Sequence, residues 1–156
     1  MDNQIFYAGR AMGHKLQAQA LVAKDGFSAR YDLDRIKGVF SRPEHKLAGE
    51  SYVGKILILD VAKGGVATAW MLYEMVARGM IPAALVLNGM NPIMVQGAAF
   101  ADLPLMSDFD CDITSAIPNG AMALPGAGVN LASNRKENST WLPGPVFGRG
   151  MRATVG

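Results

Sequence analysis

Apolar and polar residues alternate along residues 15–24, close to the start of the chain. Every second side chain there is apolar, so these side chains would share one face, as in a half-buried strand: Leu16, Ala18, Ala20 and Val22. Gln17 and Gln19 would face outward. The apolar run at residues 5–8 predicts a short strand before it, which ends at the Gly-Arg pair that follows.

A βαβ unit is predicted in the middle of the chain. The apolar run from Val53 to Asp60 is typical of a buried strand, and residues 83–87 repeat that pattern. Between them, apolar residues at helical spacing predict a helix from about Val66 to Arg78, which ends before Gly79. The predicted buried face of this helix consists of Ala69, Leu72, Tyr73, Val76 and Met80. The two strands should lie parallel, joined by a right-handed crossover.

Three further elements and one long loop complete the predicted domain. The sequence predicts a second helix at residues 92–100, a strand at 103–106 and a β-hairpin at 120–132. Residues 25–50 are polar and interrupted by glycine and proline. We interpret them as a long loop, which is either a functional region or a surface excursion over the sheet.

Composition agrees with a single α/β domain. The chain has 156 residues, of which 50% are hydrophobic and 18% are charged, as in globular proteins. Basic charge concentrates at the end, where residues 134–156 hold four basic residues against Glu137. The dense basic face of nucleic-acid binders is missing, and no apolar run reaches the roughly 18–20 residues that cross a bilayer. We therefore divide the chain into a domain, residues 1–133, and a basic C-terminal tail containing proline and glycine, residues 134–156.

The cysteine and histidine content argues against a metal centre in this chain. Cys111 is the only cysteine, which excludes an internal disulfide and an iron–sulfur cluster. The N-terminal residues do not resemble a secretory signal, so we expect a cytoplasmic protein. His14 and His45 show no metal-ligand spacing. The alternating acids after residue 107 lack the other ligands of a calcium loop and are interpreted as an acidic loop: Asp108, Asp110 and Asp112.

The junction between the first buried strand and its helix is the best candidate site. Lys63 precedes Gly64 and Gly65, and the helix begins directly after them. Free backbone N–H groups at a helix N-terminus favour an anion, and ligands bind at strand ends in α/β sheets. The sequence therefore predicts a site for a carboxylate or a phosphate. The alternative is a tight turn that needs glycine for its own geometry.

Five sequence blocks follow one another over most of residues 8–132: Gly9-Arg10, the 15–24 strand, residues 45–57 (HKLAGESYVGKIL), residues 79–87 (GMIPAALVL) and residues 92–106 (PIMVQGAAFADLPLM). In this order and spacing they resemble the swivel domain of the aconitase X family. That family includes the small subunit of phosphomevalonate dehydratase and cis-3-hydroxyproline dehydratase.

The resemblance implies a swivelling β/β/α fold of the aconitase type in a single domain. It also implies a heterodimer with a much larger catalytic subunit and the dehydration of a hydroxy acid or a phosphorylated hydroxy acid. Any iron or iron–sulfur cluster would be held by that large partner, with no cofactor in this chain.

The active loop departs from the family pattern. Family members have a Gly-Arg-Gly-Ser-Ser-Thr-Gly-Ser-like stretch at this place. The resemblance implies that its first serine acts in proton transfer. This chain instead reads AKGGVATA at residues 62–69. Gly65 stands in the place of that serine, and Lys63 keeps the positive charge. Thr68 is a candidate replacement, although it lies about 4.5 Å further along the helix axis and could simply hydrogen-bond the preceding turn. The partner is an alternative source of the base.

A second family loop, Gly-Gly-Val-Asp-Pro-like, corresponds to residues 29–33, read here as ARYDL. Asp32 keeps the family acid and is the other candidate for the catalytic base. Arg30 is an added charge, and we predict it to be a second contact for the anionic substrate, beside Lys63.

Three functions remain open at this point. The first is the small subunit of an aconitase X-like hydro-lyase. The second is a subunit of a different lyase or of an isomerase that acts on a carboxylic acid, because a fold does not fix a reaction. The third is a non-catalytic structural or regulatory subunit, which the missing serine favours.

Overall fold

In a computed structural model that describes residues 4–125 and 130–134, nine strands and three helices follow one another: β1 (Gln4–Met12), β2 (Ala18–Val22), β3 (Leu33–Asp34), β4 (Val39–Phe40), β5 (Ile56–Val61), α1 (Val66–Ala77), β6 (Ala84–Gly89), α2 (Pro92–Phe100), β7 (Leu105–Phe109), α3 (Ile113–Ala116), β8 (Met122–Pro125) and β9 (Asn130–Asn134). The domain is mixed α/β, as predicted.

The seven longer strands close into a barrel in the order β1-β7-β6-β5-β2-β8-β9. Strands β2, β5, β6 and β7 lie parallel to one another, while β1, β8 and β9 pair antiparallel with their neighbours. The parallel pairing of β5 and β6 around α1 confirms the predicted βαβ unit. Helix α2 has the predicted bounds, and the pairing of β8 with β9 confirms the hairpin. Residues 126–129 of the hairpin lie outside the described residues, as does most of the tail, so the domain boundary at 133 stays a prediction.

Both faces of the central strands are buried, which explains their uninterrupted apolar sequence. Ile56 and Ile58 of β5 pack in the barrel interior, where α3 also contributes side chains. Leu57 and Leu59 point to the other face and pack under α1, α2 and the segment 25–50. In the part of the chain that the structure describes, no helix is long and apolar enough to cross a membrane.

Strand β1 is longer than predicted and runs through the Gly-Arg pair that was interpreted as its end. The reason for glycine at position 9 is packing, because a Cβ there would lie 3.0 Å from the backbone oxygen of Asp108 on β7. Arg10 then pairs with the same residue, with 3.2 Å between its Nε and Asp108 Oδ2.

The segment 25–50 covers one face of the sheet, as predicted for a surface excursion, and it is attached there by buried side chains. It contains the small β3–β4 hairpin, and the side chains of Phe27 and Phe40 are buried. His45 is buried as well and stacks on Phe40, with 4.5 Å between the ring centroids. Its Nε2 donates to the carbonyl oxygen of Gly26 at 2.9 Å, since its Nδ1 accepts from the Leu47 amide at 3.1 Å. His45 therefore holds the segment together.

The predicted buried face of α1 is partly wrong. Thr68, Leu72 and Met75 are the buried residues, whereas Tyr73 is 55% exposed and Val76 is 40% exposed. The close approach of α2 determines which face of α1 is covered, because a Cβ on Gly97 would lie 2.6 Å from Cβ of Ala69.

Candidate functional site

The carboxyl ends of β5, β6 and β7 lie at one edge of the sheet, which we call the site edge. Strand β5 ends at Val61 and leads through residues 62–65 into α1, and β6 ends at Gly89 just before α2. Two helices of eight or more residues thus begin at the site edge, where α/β sheets bind ligands.

Lys63 lies at this edge and is held by its backbone. Its amide donates to the carbonyl oxygen of Phe27 at 2.8 Å, and the Ala62 amide donates to Gly89 at 3.2 Å. The lysine side chain extends over Gly26, because a Cβ at that glycine would lie 3.3 Å from Lys63 Cε. The rest of the loop, Gly64 and Gly65, is exposed to solvent. The structure thus brings together the lysine and the two glycines that were predicted to bind an anion.

The two glycines are present for different reasons. Gly64 has a φ of +124°, and a Cβ there would overlap Oγ1 of Thr68, so the turn itself requires glycine. Gly65 is the N-cap of α1, has a φ of −120° and has open space around it. No side chain caps the helix there, so the first amides of α1 stay available for an anion.

Asn91 is a site residue that the sequence interpretation missed. Its Nδ2 donates to the carbonyl oxygen of Gly64 at 3.1 Å, and its Oδ1 accepts from the Met94 amide at 2.9 Å. One side chain thus caps α2 and ties the Lys63 loop to that helix. The signal was available, since an asparagine directly before a proline is typical of a helix start.

Thr68 sits in the first turn of α1 and is only 3% exposed. Its hydroxyl faces Gly64, and its amide donates to Gly65 at 3.0 Å. The structure therefore places Thr68 directly under the loop, while its catalytic role stays a prediction.

Asp32 is buried, and both of its carboxylate oxygens have partners. Oδ1 accepts from Nε of Arg42 at 2.6 Å, and Oδ2 accepts from the Ser28 amide at 2.8 Å. The hydrogen bond to Asp32 raises the pKa of the Arg42 guanidinium above its usual value. The catalytic role of Asp32 stays a prediction, and the geometry shows a residue that fastens segment 25–50.

Arg30 lies away from the Lys63 loop. It is exposed and shares a shallow groove with Glu74 and Arg78 in the last turns of α1. Glu74 follows Gly65 by nine residues, or roughly 13 Å along the helix axis. The structure therefore does not bring Arg30 together with Lys63, although both were predicted to contact one anion.

An amide network at the site edge was also missed. Asn88, at the end of β6, donates from Nδ2 to Asp60 at 3.0 Å and to Asp112 at 2.8 Å. Its Oδ1 accepts from the Ile113 amide at 2.9 Å. A lone asparagine carries no pattern in a sequence, so only the fold reveals this role.

Asp112, predicted as part of an acidic loop, is the N-cap of α3. Its carboxylate accepts from the hydroxyl of Thr114, from Asn88 and from the hydroxyl of Ser115, and these hydrogen bonds hold its pKa well below the usual range. Within residues 4–125 and 130–134, no three His, Cys, Asp or Glu side chains form a group that could hold a metal ion.

Replacing Asp112 by alanine should lower the free energy of unfolding by about 1 kcal/mol at pH 7, as expected for the loss of an N-cap. A carboxylate with a lowered pKa stabilises the fold above its unfolded value of about 3.9, and this contribution is lost as the pH falls further. The difference between wild type and Asp112→Ala should therefore shrink below about pH 4 in urea titrations. Asp112→Asn, which can still cap α3, should be destabilised less. A difference that stays constant down to pH 3 would contradict the assignment.

Comparisons with known proteins agree with the fold. The profile of the family described as Aconitase X swivel domain matches residues 6–128. The phosphomevalonate dehydratase small subunit of Methanopyrus kandleri is 30% identical over 118 residues, which cover 74% of this chain and 87% of that protein. The protein of the same name from Methanothrix thermoacetophila is 34% identical over 97 residues, covering 62% and 71%. The crystal structure of Thermococcus kodakaraensis aconitase X in its holo-form matches with a TM-score of 0.76 and 21% identity, covering 83% of this chain and 97% of that one.

Proposed function

Because this chain belongs to the aconitase X swivel domain family, we propose that it is the small subunit of a hydro-lyase. Together with a large catalytic subunit it would dehydrate a hydroxy acid or a phosphorylated hydroxy acid, in the cytoplasm. The observation that carries the proposal is the family match over residues 6–128, supported by relatives named as small subunits of a dehydratase.

Lys63 and the amides at the start of α1 are the proposed contacts for the carboxylate or phosphate of the substrate. Lys63 is exposed and precedes the first residue of the uncapped helix α1 by three residues, so we expect its charge and the helix dipole to act on the same anion. Gly64 and Gly65 carry no side chains, which lets the anion approach the backbone closely. Arg30 is left out of this site, because it lies beside the other end of the helix.

The proton chemistry is proposed to come mainly from the partner. Loss of water needs a base for the carbon-bound proton and an acid for the departing hydroxyl. Asp32 is engaged by Arg42 and Ser28, and Thr68 lies buried beneath Gly64. An iron–sulfur cluster would also lie in the large subunit, since a single cysteine cannot hold one, and we propose the same place for any mononuclear iron.

Substituting Lys63 by alanine in the two-chain complex tests this site. A hydrogen bond to a charged group contributes about 1.5–3 kcal/mol, and for an exposed lysine we take the lower end, which corresponds to an increase in KM of about tenfold. Lys63→Arg keeps the charge and should raise KM less than Lys63→Ala does. Arg30→Ala, a matched removal of an exposed charge outside the site, should leave KM unchanged. Equal KM values for Lys63→Ala and wild type would rule out the proposed contact.

A second candidate is a subunit that supports the fold of its partner without taking part in the chemistry. It is favoured by Gly65, which has no side chain where the family resemblance implies a serine. Turnover by the large subunit alone, compared with the complex, separates the two candidates. Full turnover without this chain would favour the second, and turnover only with both chains would favour the first. Formation of an isomer without loss of water would instead indicate a different reaction on the same scaffold.

A further inference from the structure

An apolar groove runs along the outer surface between α1 and α2. It has a volume of about 320 Å³, and Gly97 and Ala69 form its floor. Its walls are lined by large side chains that solvent reaches: Trp70 is 69% exposed, Tyr73 55% and Phe100 72%. Three aromatic side chains around one groove are unusual on a free surface and are typical of a surface that binds another segment.

The groove opens toward the site edge. Val66 and Ile93, in the first turns of α1 and α2, form that end, and Tyr73 and Phe100 form the far end. The stretch of α1 from Val66 to Tyr73 is roughly 10 Å long. A short extended segment of about four residues would therefore fill the groove.

The sequence after β9 contains a segment of matching chemistry. Residues 141–147 read Trp-Leu-Pro-Gly-Pro-Val-Phe and hold no charged side chain, although basic residues lie on both sides of them. Two prolines disfavour a helix in such a segment, and proline-rich segments bind grooves lined by aromatic side chains at a low entropic cost.

The strand register shows where the chain leaves the barrel toward this segment. Ala8 of β1 lies opposite Phe109, the last residue of β7, so the residues before Ala8 lie at the site edge. Strand β9 runs antiparallel to β1, from Asn130 opposite Tyr7 to Ser133 opposite Gln4. The described part of the chain therefore ends at the same edge as the open end of the groove.

The residues between β9 and the apolar segment set how far that segment can reach. Six residues, 135–140, separate β9 from the apolar segment and reach roughly 20 Å when extended. They begin with Arg135 and Lys136, and the site edge carries Asp60 and Asp112. Opposite charges at this edge favour a tail that stays near it.

We propose that residues 141–147 dock in the α1–α2 groove of their own chain. Residues 144–147 fill the groove with Val146 and Phe147 as the large apolar contacts, and Trp141 and Leu142 lie at its open end. All residues that line the groove belong to this chain, so the proposal is independent of the proposed reaction.

The test uses the full chain carrying Trp141→Phe, in which Trp70 is the single tryptophan. In this background, Leu142, Val146 and Phe147 are replaced by serine, which should release the segment. Emission from Trp70 should shift to longer wavelength, and its quenching by iodide should rise severalfold. Arg149→Ala with Arg152→Ala, matched changes in the same tail outside the segment, should leave both readings unchanged. A peptide of residues 138–150, added to the full chain that carries the three serines, should reverse the shift saturably.

Three results would overturn the proposal. One is identical Trp70 emission and quenching with and without the three serines. Another is a protection of Trp70 that disappears on dilution, which would assign the groove to a second copy. The third is protection that appears only when the large subunit is added, which would assign it to that partner.

Discussion

Asp32→Ala is expected to lower the free energy of unfolding by about 3 kcal/mol. Removing one partner of a buried ion pair typically costs 3–5 kcal/mol, and the lower end applies because Arg42 is partly exposed. The Ser28 amide would lose its acceptor as well, and both groups would then need water inside a packed segment. Urea unfolding of the purified chain measures the change.

Two further variants test whether the loss of stability comes from the ion pair between Asp32 and Arg42. Asp32→Asn keeps an oxygen that can accept from the Ser28 amide but loses the charge, so its stability should lie between those of the wild type and Asp32→Ala. Arg30→Ala removes an exposed side chain two residues away and should change stability by less than about 0.5 kcal/mol. A loss below about 1 kcal/mol for Asp32→Ala would contradict the fastening role. An Asp32→Asn complex that is nearly as stable as wild type yet inactive would support the catalytic role instead.

The elements that the sequence predicted well are those whose pattern is local. The βαβ unit and helix α2 follow from uninterrupted apolar runs and helical spacing, which the barrel preserves because both faces of β5 and β6 are covered. The family resemblance predicted the architecture for the same stretch.

The features that the sequence did not predict depend on contacts between distant residues. Segment 25–50 looks polar, yet His45 reaches back to Gly26 and stacks on Phe40. The face of α1 was misassigned because the approach of Gly97 decides which side of the helix is covered. Neither contact leaves a periodic signal in the sequence.

The candidate site was predicted only in part, because contacts between distant residues leave no signal in the sequence. Lys63 and the two glycines are consecutive, so a single strand–helix junction places them together. Arg30 was grouped with them by charge alone, and only the fold shows that it lies beside the other end of α1. Asn88 and Asn91 act through single amides, each of which joins two elements that lie at least 24 residues apart.

Gly64→Ala is expected to lower the turnover of the complex about a hundredfold at subsaturating substrate. The φ of +124° is unfavourable for any residue with a Cβ, and that Cβ would overlap Oγ1 of the buried Thr68. Thr68 cannot easily move, because it is fixed inside α1, so the loop must shift instead. A displacement of about 1 Å of the groups that position a substrate can cost about a hundredfold in rate.

Two matched variants separate an effect on the candidate site from a general effect of backbone strain on stability. Gly54→Ala shares the positive φ of +69° but has open space around it and lies away from the site edge, so it should affect stability and leave turnover intact. Thr68→Ala combined with Gly64→Ala removes the overlapping hydroxyl and should recover part of the lost turnover. Equal turnover in Gly64→Ala and wild type would mean that the loop does not position the substrate. The anion site would then have to be sought elsewhere along the site edge, where the amides of α2 begin.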